Sequence, residues 1–293
     1  MLDLLRAMRP AQWVKNLFVL LPALFAKAHT AKDPTLLGQA GLGVLAFLLL
    51  SSAVYLMNDV LDADRDRLHP VRRHRPIASG ALSIPAAVTG ALASLVGAYA
   101  IGYALGGEFS LAATAYLAIN VAYSGGLKRV AWVDVLCIAI GFVVRVLAGC
   151  SAIRLEPSEI SYYLIGCTFL GALFLALGKR RHELASLGDA ARRSLGGYRK
   201  GTLDAAMIGV GAATLGVYVL YTFSGRTLEY FGTHRLAFMI PFVAFGIVRF
   251  LGVVRRPGET RSPTDVILRD VPFLANSLVW VGVALWAVYW QPE

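Results

Sequence analysis

Asn58, Asp59, Asp62, Asp64 and Asp66 follow one another in the run Asn-Asp-Val-Leu-Asp-Ala-Asp-Arg-Asp, directly after an apolar stretch that ends at Met57. If that stretch is a helix that continues, ~100° per residue sets Asn58, Asp62, Asp66 and Asp59 at about −100°, −60°, −20° and 0° and turns Asp64 away to about 140°. Four oxygen-bearing side chains then share one face. Like charges one turn apart destabilise a helix by about 0.2–0.5 kcal/mol per pair, a local cost that a bound cation relieves. Mg²⁺ takes oxygen ligands and typically keeps one or two carboxylates, with phosphate oxygens and waters filling its remaining positions. The face therefore points to a magnesium ion and a phosphorylated ligand. The bland alternative is a solvated helix end whose aspartates pair with Arg65, Arg67, Arg72 and Arg73.

Other charges fit the same chemistry. His69-Pro70 ends the helix, because the proline ring disfavours helical geometry in the residue before it. Arg75 follows, ahead of the tight loop Pro76-Ile77-Ala78-Ser79-Gly80, and its planar fork suits phosphate oxygens. In Gly178-Lys179-Arg180-Arg181-His182-Glu183-Leu184, a helix places Lys179 and Glu183 one turn apart, with His182 flanking them and Arg180 and Arg181 pointing elsewhere. That pair is either a surface salt bridge or a site in which Lys179 meets a phosphate and Glu183 a metal or a ligand hydroxyl. A second basic run, from Arg192 to Lys200, follows it. Arg145 lies in the middle of an apolar stretch, where a cation costs about 2.5–3.5 kcal/mol on insertion scales, so it is expected to face a polar cavity. Asp134 is about 20° from it around the helix and can look the same way. Lys15 and Lys128 are phosphate contacts or interface anchors. Tyr123, Tyr198, Arg269 and Asp270 complete the expected cavity rim, and Arg249, close to a helix end, receives no role. Neither a Ser-His-Asp nor a Cys-His nucleophile is suggested.

The elements that must position these groups are membrane helices. The chain has 293 residues, 57% hydrophobic and only 16% charged, with a mean hydropathy of +0.62. A soluble domain carries about a quarter charged residues, and a spanning helix needs ~20 apolar ones. Nine such stretches can be drawn, roughly 13–27, 36–57, 84–106, 109–124, 133–153, 160–178, 203–225, 236–254 and 271–290. Period-two alternation is absent, which leaves an all-α helical bundle, read as one integral-membrane domain over residues 1–293. The first stretch is the weakest, being short and interrupted by Pro22. Of the 28 Lys and Arg, 21 fall in the N-terminal tail and the even-to-odd connections, against five on the opposite side and two inside spans. That asymmetry puts the acidic face and the basic connections in the cytoplasm. The net charge of +10 is thus a membrane-side bias, and no nucleic-acid partner is expected. Cys137, Cys150 and Cys167 all lie in apolar stretches and suggest neither disulfides nor zinc. The N-terminus shows no removable signal peptide.

Asn-Asp-Val-Leu-Asp-Ala-Asp-Arg-Asp resembles the NDxxDxxxD pattern of the UbiA-type intramembrane prenyltransferase superfamily, and the likeness extends to Arg9-Pro10-Ala11-Gln12-Trp13-Val14-Lys15-Asn16 and to Arg75-Pro76-Ile77-Ala78-Ser79-Gly80. The resemblance implies a bundle of about nine helices with a cytoplasm-facing polar cavity, in which Mg²⁺ holds a diphosphate and a membrane-embedded isoprenoid reacts. Asn58, Asp62 and Asp66 would then be the metal ligands, and Asp59, Asp62 and Asp66 the catalytic carboxylates. Where members acting on aromatic acceptors carry a second aspartate motif after the sixth span, this chain carries the basic Lys179–Leu184 run. In that respect it is similar to the superfamily's decaprenyl-phosphate phosphoribosyltransferase branch. The branch implies phosphoribosyl transfer from 5-phosphoribosyl 1-diphosphate to a polyprenyl phosphate in lipid-linked arabinose precursor synthesis at a bacterial inner membrane. Lys15, Arg75, Lys128, Arg145, Lys179, Glu183 and Tyr198 would bind the substrates, and a homotrimer is expected by resemblance alone. The alternatives are a prenyl transfer to an aromatic or other small acceptor and a transporter, the latter disfavoured by the lack of a two-fold internal repeat.

Overall fold

The computed structural model describes residues 2–26, 33–186, 197–256, 266 and 269–289. Lys27, Lys32, Arg192, Arg193 and Arg261, named above or counted in the charge asymmetry, and Trp290, the end of the ninth stretch, lie outside the described residues. The described chain is helical: α1 (Leu2–Ala7), a 3₁₀ segment (Pro10–Leu20), α2 (Leu21–Phe25), α3 (Thr35–Leu61), α4 (Ala63–Arg67), α5 (Ile84–Leu105), α6 (Gly107–Gly125), α7 (Val133–Ala152), α8 (Tyr162–Ser186), α9 (Lys200–Phe223), α10 (Gly225–Phe231), α11 (Ile240–Val254) and α12 (Val271–Tyr289). Seven stretches are long and apolar enough to cross a bilayer: Thr35–Leu61, Ile84–Leu105, Val133–Ala152, Tyr162–Ala185, Lys200–Phe223, Arg235–Val254 and Val271–Tyr289. The 19-residue α6 is an eighth long helix.

The stretch 13–27 departs from expectation. It is not a spanning α-helix but an 11-residue 3₁₀ run that passes into the five-residue α2. Proline explains the form: Pro10 starts the run, and Pro22 has no N–H to give to an earlier carbonyl, so the chain keeps tighter bonds such as Leu21 N–H to the Phe18 carbonyl. Elsewhere the ends follow ordinary capping rules. Ser83 accepts the Ala86 N–H at the start of α5, and Gly106, at φ +118°, turns α5 into α6 where a side chain would be strained.

The helices cluster into two compact units, Met1–Gly126 with Gly141–Ile160, and Leu127–Ile140 with Ser161–Glu293. In the first, Phe47 packs edge-on against Phe109 with centroids 5.8 Å apart, and Val19, Leu50, Val54, Tyr116 and Ala148 close around them. Buried Ala87 and Ala91 belong to a second cluster with Ala53 and Leu56, small residues that let α3 and α5 approach closely. In the second unit Phe174, Leu177, Leu203, Met207, Phe250 and Val253 form the core.

One contact sets the register of the 3₁₀ segment. A β-carbon at Gly149 would lie 2.1 Å from the Val19 carbonyl oxygen, so glycine is what lets that backbone rest on α7. Gly149→Ala is therefore expected to destabilise the protein by about 1–3 kcal/mol through overpacking. A thermal melt in detergent checks this, and an unchanged midpoint would contradict it.

Candidate substrate and metal site

In the first unit the acidic run ends α3 and forms α4. Asp62 breaks the helix with φ −94° and ψ 3°, yet Asp62 N–H still bonds the Asn58 carbonyl at 2.9 Å and Asp66 N–H the Asp62 carbonyl at 2.8 Å. The helical phase survives the break. Asp59 and Asp66 consequently share a side and are buried, whereas the Asp64 side chain is 94% exposed and, among the described residues, pairs only with Arg67 at 2.8 Å. Asn58 and Asp62 are partly exposed.

The buried carboxylates hold arginine. Arg75 Nη1 donates to Asp59 Oδ1 at 3.1 Å and to Asp66 Oδ2 at 2.6 Å. Arg9 Nη2 makes a further short contact to Asp59 Oδ1, and Arg72 Nη1 stands 3.9 Å from Asp66 Oδ1. Arg9 adopts a left-handed backbone at φ 57°, a strained conformation for a non-glycine residue. Its guanidinium also lies 4.9 Å from the centre of the Tyr55 ring. Arg75, read from the sequence as a phosphate ligand, here bridges two carboxylates, and Arg9, read there only as an orienting charge, is part of the cluster.

Among the described residues no three His, Cys, Asp or Glu side chains are drawn together as a metal cluster. The residues nevertheless suit a hard divalent cation. The donors are all oxygen, and Asp66 Oδ1 is buried without a hydrogen-bond partner among the described residues. Asn58, Asp62 and Asp66 are the residues that would hold such an ion, with Asp59 beside them.

Deeper in the same unit, Arg145 is buried and donates to Asn16 Oδ1, the Gly141 carbonyl and the Tyr116 hydroxyl. Asp134, expected to look the same way, belongs instead to the second unit and to another network. There it accepts short hydrogen bonds from Arg180 Nε and the Tyr198 hydroxyl. Arg180 also reaches Glu183 Oε2 through Nη1. Arg180 thus does not point away from Glu183, because three residues along a helix are neighbours as well as four. Lys179, with 52% of its side chain exposed, stands 3.9 Å from Glu183 Oε1, and Arg181 pairs with Asp204 at 3.0 Å.

Tyr198 locks this corner. Its hydroxyl accepts the Trp132 N–H at 2.8 Å, at a residue held left-handed with φ 71°. Gly197 is required for the approach, since a β-carbon there would meet Ala131 Cβ at 2.5 Å. Burial, and then its bond to the Asp134 carboxylate, hold the Tyr198 phenol well above the ordinary tyrosine range, so it stays a neutral donor. Beside it lies a cavity of about 520 Å³ lined by Arg181, Leu184, Ala185, Tyr198, Arg199 and Lys200. Lys15, Tyr123 and Lys128 are partly exposed.

Arg249, given no role from the sequence, makes a two-pronged contact with Asp270 at 2.9 and 2.8 Å. Those bonds hold the Asp270 carboxyl below its usual range. A depressed carboxylate stabilises the fold at pH above its unfolded value, about 3.9, and loses that contribution as pH falls through the lower folded value. Wild type should therefore lose thermal stability on acidification below roughly pH 4 more steeply than Asp270→Asn. Parallel acid-side melts of the two proteins would contradict this.

Comparison with known proteins places the chain in a family. The model of the UbiA prenyltransferase family matches residues 16–261. The decaprenyl-phosphate phosphoribosyltransferase of Mycobacterium tuberculosis is 34% identical over 94% of this chain and 91% of its own length. That of Corynebacterium glutamicum is 30% identical over 99% of this chain and 87% of its own. Among solved structures, a UbiA homologue from Archaeoglobus fulgidus bound to DMAPP and Mg²⁺ superposes with a TM-score of 0.72 at 20% identity, over 99% of this chain and 100% of that one. A family match that takes in the acidic run, Arg75, the Arg145 helix and the Lys179–Glu183 turn within one alignment leaves a single conclusion: the chain belongs to the UbiA prenyltransferase family.

Proposed function

We propose that this protein transfers a 5-phosphoribosyl group from 5-phosphoribosyl 1-diphosphate to a polyprenyl phosphate, decaprenyl phosphate in the relatives' names, and releases diphosphate. The observation that carries this reading is similarity at 30–34% identity along nearly the whole of both chains to decaprenyl-phosphate phosphoribosyltransferases. The bond from the anomeric carbon to the diphosphate oxygen breaks, and its electron pair leaves with the diphosphate. An oxygen of the lipid phosphate forms the new bond to that carbon. A phosphate monoester has its second pKa near about 6 and is largely ionised at neutral pH, so no protein group need remove a proton from it.

The chain's own residues bind and orient. Asn58, Asp62 and Asp66 would hold Mg²⁺, with Asp59 in support. When bound, the ion offsets the charge that develops on the departing diphosphate. Arg75 and Arg9 carry positive charge to the same carboxylates, where Arg75 would also stand beside the phosphate oxygens of the donor. Lys179, Arg180 and Glu183 supply the basic, directional contacts that a donor bearing an additional phosphate requires. Charge placed in advance is the usual source of rate at such sites. The acidic run faces the cytoplasm at a bacterial inner membrane, and the isoprenoid tail stays in lipid.

Purified protein with Mg²⁺, labelled 5-phosphoribosyl 1-diphosphate and decaprenyl phosphate tests the proposal. A labelled lipid and stoichiometric diphosphate are expected. Turnover only with a prenyl diphosphate and an aromatic acceptor would replace this reading with the prenyl transfer that the family's description names, and flux without a covalent product would replace it with transport.

A further inference from the structure

Arg145 is 5% exposed, and among the described residues no carboxylate stands within ion-pair distance of it. Arg181, also buried, lies on Asp204, and the partly buried Arg180 lies on Asp134 and Glu183. Arg145 has only neutral acceptors, Asn16 Oδ1 at 3.1 Å, the Gly141 carbonyl at 2.9 Å and the Tyr116 hydroxyl at 2.9 Å. These engage three of the guanidinium's roughly five N–H groups and leave its charge unbalanced. A desolvated cation without a counter-ion is costly unless a ligand provides one.

The surrounding bonds fix how the guanidinium is presented. Asn16 Nδ2 donates to Ser51 Oγ at 3.0 Å, and that hydroxyl donates to the Leu48 carbonyl at 3.1 Å. The Asn16 amide oxygen is thereby turned to Arg145. The guanidinium carbon lies 4.5 Å from the Tyr116 ring centre and 5.3 Å from that of Phe142, which fixes its plane. The Tyr116 hydroxyl accepts from Arg145, and its own proton has no acceptor among the described residues. On α3, Tyr55 stands one turn beyond Ser51 and one turn before Asp59. It is partly exposed, its hydroxyl has no partner among the described residues, and it lies within electrostatic reach of Arg145, Tyr116 and Arg9. The cluster is rich in donors, poor in acceptors and positively charged.

We propose that Arg145, Tyr116 and Tyr55 form a binding site for a phosphate monoester. The inference rests on the function proposed above, in which both the acceptor lipid and the ribosyl 5-position carry that group. Its dianion matches a charged donor set with spare N–H and O–H groups. Ser51 and Tyr55 lie about 12 and 6 Å inward from Asp59 along α3, at 1.5 Å per residue, a depth that favours the phosphate borne by the lipid.

The test uses the full chain in detergent, as wild type, Arg145→Gln, Arg145→Lys, Tyr116→Phe and Tyr55→Phe. Michaelis constants are measured separately for polyprenyl phosphate and 5-phosphoribosyl 1-diphosphate. Thermal shifts without turnover are measured with polyprenyl phosphate, uncharged polyprenol and ribose 5-phosphate. Polyprenyl phosphate but not polyprenol should stabilise wild type. Each Tyr→Phe variant should melt like wild type yet raise the lipid KM by about 5- to 10-fold, and Arg145→Gln by about 30-fold or more, with partial rescue in Arg145→Lys. Should the donor KM and the ribose 5-phosphate shift change instead, the site is that of the sugar's phosphate. Unaltered Michaelis constants and ligand shifts in all four variants, or a lower melting temperature alone, would overturn the proposal. A wild type that forms no product but shows a polyprenyl phosphate shift lost in Arg145→Gln would keep this site and defeat the proposed reaction.

Discussion

Asp66→Ala is expected to lower phosphoribosyl transfer by about 10³-fold or more while the protein still inserts. Asp66 is 1% exposed and gives one oxygen to Arg75, and its other oxygen has no hydrogen bond among the described residues. Removing it takes away both the proposed ligand for the cation and the group that holds Arg75, and loss of one preorganised electrostatic contact costs about 10²–10³-fold in an oxyanion hole. The apolar spans that drive insertion are untouched. Asp62→Ala should match it, and Asp64→Ala should stay within about two-fold, because an exposed residue paired only on the surface contributes little. Product formation from labelled donor, with protein abundance in the membrane fraction as the control, decides. Near-normal turnover in both Asp62→Ala and Asp66→Ala would remove the metal from these residues.

Asp134→Asn carries the largest expected effect on stability, a loss of about 3–5 kcal/mol. The carboxylate is almost fully buried and takes both Arg180 and the Tyr198 hydroxyl. Without it the Arg180 side chain, 11% exposed, loses the carboxylate that meets its Nε and keeps Glu183 at Nη1. Tyr198→Phe removes a neutral hydroxyl that donates to Asp134 and accepts the Trp132 N–H, and should lose about 1–2 kcal/mol. Combining Asp134→Asn with Arg180→Gln should recover part of the loss, since the penalty comes from the stranded charge rather than from a missing contact. Detergent melts of the single and double variants test this, and additive losses would contradict it.

The acidic run shows which features are legible in one dimension. Helical phase follows from 3.6 residues per turn whatever surrounds the helix, so the separation of Asp59 and Asp66 from Asp64 can be read from spacing and survives the break at Asp62. The partners of those carboxylates cannot be read that way. Arg9 is fifty residues from Asp59 along the chain, and only packing of α1 and the 3₁₀ segment against α3 brings it there. Its left-handed backbone, which aims the side chain, carries no composition signal. Arg180 is a different case: a spacing of four singles out Lys179, although an arginine three residues from Glu183 reaches it as readily.

Length, apolar content and the run of spans determined by themselves that this is a helical membrane protein, because hydrogen-bond satisfaction in lipid leaves few other solutions. Spacing alone likewise separated Asp59 and Asp66 from Asp64, and marked Arg145 as a charge that must be accommodated. Tertiary structure decided what each charge meets. Arg145 and Asp134 share a helix and nearly a face, yet they serve different networks, one neutral and one ionic. The physical reason is that a helix fixes only direction around its axis. Whether a buried charge ends against an amide, a hydroxyl or a carboxylate depends on side chains that arrive from distant parts of the sequence, and on glycines such as Gly149 that let them come close.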